Sequence, residues 1–136
     1  MGHRRQAREN AIQMLYQIEL SGASTEDAED SFWHHHEADS DIKAFAGELI
    51  RGVLSHKDEV DALVAEHALH WKLTRMPPVD RNILRCAVYE LRYLIDVPTK
   101  VILNEAIDIG KKFGSEESGS FINGVLDKIA KDLRKE

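Results

Sequence analysis

The feature that most constrains the fold is an apolar stripe behind a double proline. Ile83, Leu84, Ala87, Val88, Leu91 and Leu94 recur at helical spacing after Pro77-Pro78. Proline has no amide hydrogen for a helix interior but suits a first turn, so the pair ends one element and begins the next. This stripe is the widest apolar face in the chain and needs neighbours to cover it.

The same period governs the rest. Ala11, Ile12, Leu15 and Ile18 mark a helix over about residues 5–20, with Ser21-Gly22 as its stop. Ser24 or Thr25 caps a short acidic helix running through Phe32 and Trp33, where acids in a first turn suit the helix dipole. Ser40 is placed to cap a helix holding Ile42, Phe45, Ala46, Leu49, Ile50 and Val53. Val60, Leu63, Val64 and Ala68 follow after a kink near His56-Lys57. Asp96-Val97-Pro98 leads into a helix with Ile102, Ala106, Ile109 and Phe113 on one face and Gly114 at its end. Ser118 can cap a last helix that turns Ile122, Val125, Leu126, Ile129 and Leu133 inward. Strand alternation, internal repeats and low-complexity tracts do not stand out. The expectation is an all-α fold, a compact bundle of about six or seven helices in a single domain over residues 1–136.

A chain of 136 residues, 43% hydrophobic and 31% charged, is long enough to bury a core without staples. Its one cysteine, Cys86, rules out an intrachain disulfide and a four-cysteine zinc site, and its apolar surroundings make it a small buried hydrophobe. A free thiol, no apolar stretch behind the basic N-terminus and no run near the ~20 residues of a membrane span lead to a cytoplasmic expectation, with no membrane partner.

The net charge of −6 argues against nucleic acid until its distribution is considered. Residues 24–41 hold seven acids and no Lys or Arg, which leaves 17 acids against 18 bases in the remainder. Basic clusters stand at Arg4, Arg5 and Arg8, at Lys111 and Lys112, and at Lys128, Lys131, Arg134 and Lys135. Local field, more than net charge, governs phosphate binding.

Chemistry of other kinds finds little support. His34, His35 and His36 are adjacent, so on a helix they diverge and make a poor chelate; a solvated face is the favoured reading, with no metal. Pairs such as Glu116-Glu117 and Asp58-Glu59 read as surface charge rather than as an acid–base couple. No glycine-rich phosphate loop or nucleophile–base arrangement is present, so no enzyme and no cofactor are expected. Arg4 and Arg8 share a helix face at i and i+4. Cations at a helix N-terminus oppose the dipole, so the cluster reads either as an ordinary charged terminus or as a phosphate grip. Phe113 and Phe121 frame the loop 114–120, with Lys111 and Lys112 just before it. They read either as rings closing the core or as a stacking platform for unpaired bases. Asn123 reads as a buried polar group or a base reader, and Asn104 as a structural one.

Three stretches resemble the NusB family of transcription antitermination factors: RRQARENAIQMLYQIELSG (4–22), PPVDRNILRCAVYELRYL (77–94) and DVPTKVILNEAIDIGKKFGSEESGSFINGVLDKIAKDLR (96–134). The resemblance implies two three-helix subbundles plus a further helix. It implies binding of boxA RNA from ribosomal RNA leader transcripts together with NusE, a small-subunit ribosomal protein. It also implies assembly with RNA polymerase and other Nus factors to suppress termination. Carried over by position, Arg4, Arg5 and Arg8 match an arginine-rich RNA-binding motif, with Gln6 where some members have arginine. Tyr16, Lys100, Phe113, Glu117 and Phe121 fall near RNA or NusE surfaces, and Asp80 matches an acidic position in the NusE contact. Lys72, Leu73, Thr74 and Arg75 replace a more acidic stretch. A homodimer closed through an apolar helix face, a recruiting module for an RNA-modifying enzyme, and a purely structural interaction protein remain the alternatives.

Overall fold

The computed structural model describes residues 2–69 and 71–135, and it is helical throughout, with no strand among them. Helix α1 spans Gly2–Ser21, α2 Thr25–His35, α3 Ser40–Ser55, α4 Lys57–His67, α5 Pro78–Tyr93, α6 Thr99–Phe113 and α7 Ser118–Leu133, with a single 3-10 turn at Leu73–Arg75. Helices α1, α2 and α3 pack on one another, and α4 to α7 form a second group. Helix α5 joins the two, touching α1 and α3 on one side and α4, α6 and α7 on the other.

The sequence explains that central position. Residues 80–91 are all buried, so the wide apolar face of α5 is consumed inside this chain. Pro78 occupies the first helical position, as its missing amide hydrogen favours. Helix α1 contributes Ala7, Ala11 and the pair Met14-Leu15, three to four residues after one another, as one buried stripe. It ends at Gly22, whose φ of +72° is left-handed and whose amide donates to the Ile18 carbonyl at 2.8 Å. Gly52 on α3 is required by close packing, since a Cβ there would run into the Tyr89 ring.

Cap positions differ in detail from expectation. Ser24 does cap α2, its Oγ accepting from the Asp27 amide at 3.1 Å. Asp39, not Ser40, precedes α3, and Glu117, not Ser118, precedes α7. Ser118 is drawn inward instead: its Oγ accepts from the Ser115 amide at 2.9 Å and donates to Asp80 Oδ1 at 2.7 Å. This ties the α6–α7 connection to α5. At the far end of α7, Arg134 donates to the carbonyls of Glu90, Leu91, Leu94 and Val97, so its guanidinium caps α5 and holds the turn into α6.

Buried charge is concentrated on α5. Arg81 and Arg85 reach Glu19 of α1, and Arg85 also pairs with Asp61 of α4 through its Nε at 2.7 Å. Arg81 Nη1 donates to the Leu73 and Met76 carbonyls, both at 2.9 Å, and so staples the 3-10 turn to α5. Among the described residues no buried side-chain nitrogen or oxygen lacks a partner. Cys86 is buried as expected, and burial pushes its thiol well above the ordinary range. No helix among the described residues is long and apolar enough to cross a membrane.

Candidate nucleic-acid interface

Side-chain bonds draw the N-terminal half of α1 to α6. Arg5 pairs with Glu105 and, at 3.0 Å, with Asp108. Lys112 Nζ reaches Glu9 at 3.2 Å. Lys100, Asn104, Asp108 and Lys112, spaced four apart, are all exposed on one face of α6. From Lys100 to Lys112 this stripe is about 18 Å long, at 1.5 Å per residue. Asn104 is therefore exposed on this face, not the structural interior group expected from its apolar neighbours.

The three arginines have different fates. Arg4 is exposed, with its guanidinium 3.8 Å above the Phe45 ring and no ion pair among the described residues. Arg5 is half-buried, and the hydrogen bond it donates to Glu105 raises its already high pKa. Arg8 corrects the expectation of a phosphate grip. It is only 4% exposed, with Nε and Nη2 on Glu90 at 2.8 and 2.7 Å and Nη1 on Glu105 at 3.0 Å. Desolvation opposes its charge, but the two carboxylates outweigh that and keep it ionised. The i, i+4 pairing with Arg4 concealed this, because Glu90 lies 82 positions away.

The α6–α7 junction is shaped by small residues. A Cβ on Gly110 would lie 2.6 Å from Ile122 Cδ1, so its absence lets α6 and α7 close together. A Cβ on Gly114 would strike Ser118 Oγ, and the stem of Lys111 covers Gly119. On this scaffold Phe113 is 40% exposed, with Lys112 Nζ 5.0 Å from its ring centre. Lys111 is exposed and makes no ion pair among the described residues. Glu117 and Asn123 are exposed, and Phe121 is half-buried. Lys112, paired with Glu9, links α1 to the end of the helix that leads into this junction.

Asp80 is also corrected. It is 4% exposed, and burial raises its pKa against the opposing hydrogen bond from Ser118. It holds the α6–α7 connection from behind and presents no carboxylate at the surface. Tyr16 is half-buried, one turn before Leu20, which is exposed. Nearby, Leu15, Ile18, Leu73, Thr74, Arg81 and Arg85 line a cleft of about 420 Å³.

The histidine run takes no part. His35 and His36 bond through Nδ1 to the Ser31 and Phe32 carbonyls, and His36 stacks on Phe32 at 3.9 Å. The only group of three potential metal-ligating side chains among the described residues is His3, Asp39 and Asp41, all exposed.

Comparison with known proteins agrees with this architecture. The NusB family model matches residues 5–131. The chain belongs to the NusB family. The transcription antitermination protein NusB of Myxococcus xanthus is 48% identical, with 99% of each chain covered. That of Desulfatibacillum aliphaticivorans is 47% identical, covering 100% of this chain and 95% of the other. A Thermotoga maritima NusB structure superposes with a TM-score of 0.86 at 37% identity, covering 97% of this chain and 94% of that one. A crystal structure of NusB and NusE in complex with double-stranded RNA matches with a TM-score of 0.88 at 28% identity, covering 97% and 98%. Within the NusB fold seen here, residues missed by sequence reasoning include Glu90 and Glu105, which fix the arginines, and Trp71, which stands 50% exposed beside Phe121. A tryptophan between His70 and Lys72, outside any apolar stripe, was the available signal for the last.

Proposed function

We propose that this NusB-family chain is a transcription antitermination factor that binds unpaired boxA-type RNA of ribosomal RNA leader transcripts together with NusE. The pair joins RNA polymerase and other Nus factors in the cytoplasm, and the protein's contribution is recognition rather than catalysis. The observation that carries this reading is the joining of the first half of α1 to α6, the helix that leads into the α6–α7 junction, through Arg5–Asp108 and Lys112–Glu9. Arg4 is exposed at the start of the one helix, and Lys111 and Phe113 are exposed at the end of the other, with Phe121 half-buried just beyond.

In this arrangement Arg4, Lys111, Lys112 and, at the far end of α6, Lys100 hold phosphates. Phe113 and Phe121 stack bases, and Asn123 and Glu117 offer hydrogen bonds to base edges. Arg5 can exchange a carboxylate for a phosphate. Arg8 and Asp80 act indirectly, by fixing α1 on α5 and α6 and by seating the loop. NusE docks near Tyr16 and the 3-10 turn, beside the 420 Å³ cleft.

Fluorescence anisotropy of labelled boxA RNA against a scrambled RNA, at two salt concentrations and with or without NusE, tests the reading. Tighter boxA binding that NusE strengthens is the expected result. Equal weak binding to both RNAs, unmoved by NusE, overturns it.

A further inference from the structure

Continuous at Phe121 with the face described above, one surface combines exposed aromatic area with uncommitted positive charge. Leu69 and Trp71, 72% and 50% exposed, stand on the connection after α4. The Trp71 amide donates to the Ala68 carbonyl at 3.0 Å, which ties Trp71 back to the end of α4. The Trp71 ring meets Phe121 of α7 edge-on, with centroids 6.0 Å apart and planes at 68°. Between them lies a cleft of about 250 Å³ whose walls include Ser120, Gly124, Val125 and Lys128. Gly124 leaves its floor open, since a Cβ there would find no atom within 4 Å. Lys128 lines this cleft, and Lys72 and Arg75 line the neighbouring one that shares Leu69 and Trp71 with it; all three are exposed and make no ion pair among the described residues. His67, on the same cleft, is already engaged by Asp132 at 2.5 Å.

A half-exposed indole adds little to the core, and none of the three cations is neutralised by an ion pair among the described residues. Such a surface is suited to a partner that is flat, apolar on its faces and anionic at its edges. An unpaired nucleotide has that chemistry: the base stacks on an aromatic face while neighbouring cations hold its phosphate. We propose that Trp71 and Phe121 form a second nucleobase seat, with Lys128, Lys72 and Arg75 as its phosphate contacts. The seat extends the bound RNA from the α6–α7 junction towards the end of α4. It rests on the RNA-binding reading above and lengthens the footprint that reading implies.

The test uses a single-stranded boxA-type RNA oligonucleotide and the full chain. In a Trp33→Phe background Trp71 is the sole tryptophan, and stacking quenches its fluorescence as RNA is added. Trp71→Ala weakens RNA binding about 10-fold, and Trp71→Phe restores most of it. Gly124→Leu fills the cleft and weakens binding by a similar factor. It also raises the melting temperature, because leucine is a better helix former than glycine. That opposite pair of effects separates the seat from the fold. If wild type binds RNA and Arg4→Ala weakens it, while Trp71→Ala and Gly124→Leu bind normally and Trp71 is not quenched, the seat is overturned and the RNA reading stands. If Trp71→Ala instead lowers NusE affinity or changes the sedimenting mass with RNA affinity intact, the patch is a protein interface and the seat is overturned. Absence of RNA binding by wild type overturns both.

Discussion

At the start of α1, Arg5 and Arg8 direct their guanidinium groups into carboxylates of the same chain, whereas at the α6–α7 junction Lys111, Phe113 and Asn123 are left facing solvent. Both regions looked alike as sequence: basic residues near helix ends. The difference lies in what surrounds them. Helix α1 runs against α5 and lies beside α6, and Glu90 and Glu105 project into that seam. At the junction Lys111, Phe113, Glu117 and Asn123 are exposed among the described residues. A positive charge therefore contributes to architecture in one place and remains available to a ligand in the other.

The sharpest way to break this contrast is Arg8→Ala. Removing one partner of a buried ion pair strands the other, which typically costs about 3–5 kcal/mol. Denaturant unfolding is expected to show a loss of that order. A stable Arg8→Ala chain with reduced RNA affinity would return Arg8 to the ligand side. Next in size is Phe121→Ala, expected to weaken RNA binding by about 1–3 kcal/mol in anisotropy titrations. An equal loss of fold stability with RNA affinity intact would make it a core ring. Smaller again is Arg4→Ala, which forfeits a cation–π contact of about 0.5–1 kcal/mol. It should flatten the slope of log K against log salt by about 0.7 if it holds one phosphate of a single strand. Arg5→Ala should change that slope less, because Glu105 and Asp108 already neutralise it.

Asp80 supplies a pH test. Its folded pKa is raised, so the folded state binds the proton more tightly than the unfolded state does. Stability therefore falls as pH climbs from the ordinary carboxylate range through the folded value, and the buried charge remains unfavourable at neutral pH. Asp80→Asn keeps an acceptor for Ser118 and removes that charge, so a slightly higher melting temperature at pH 7 and a flatter acid profile are expected. A lower melting temperature at pH 7 would mean that the carboxylate charge is itself needed. A loss of NusE binding without any stability change would give Asp80 a surface role after all.

Most of the architecture was legible because apolar residues repeat locally. The stripe of α5 and the double proline could be read within 18 residues, and the structure places that helix at the centre. What escaped was set by distant residues. Arg8 is defined by Glu90, Asp80 by Ser118, and Trp71 by Phe121, each pair joined only when helices far apart in sequence pack. Polar residues next to apolar ones also misled: Asn104 follows Leu103 yet lies on the solvent face of α6. Helix caps were misjudged for a similar reason, since the Ser118 hydroxyl accepts from the Ser115 amide and donates to Asp80 across the bundle instead of accepting from an amide of its own helix.

Helix α6 is held at both ends. Arg134 fixes the turn that leads into it, and the Ser115–Ser118–Asp80 chain fixes the turn that leaves it. Little conformational freedom remains to be lost when a ligand settles along its exposed face. The ordering entropy of association then falls mainly on the flexible strand rather than on the protein. In a preorganised partnership of this kind, mutations that loosen either turn slow nothing in the encounter itself but shorten the lifetime of the complex.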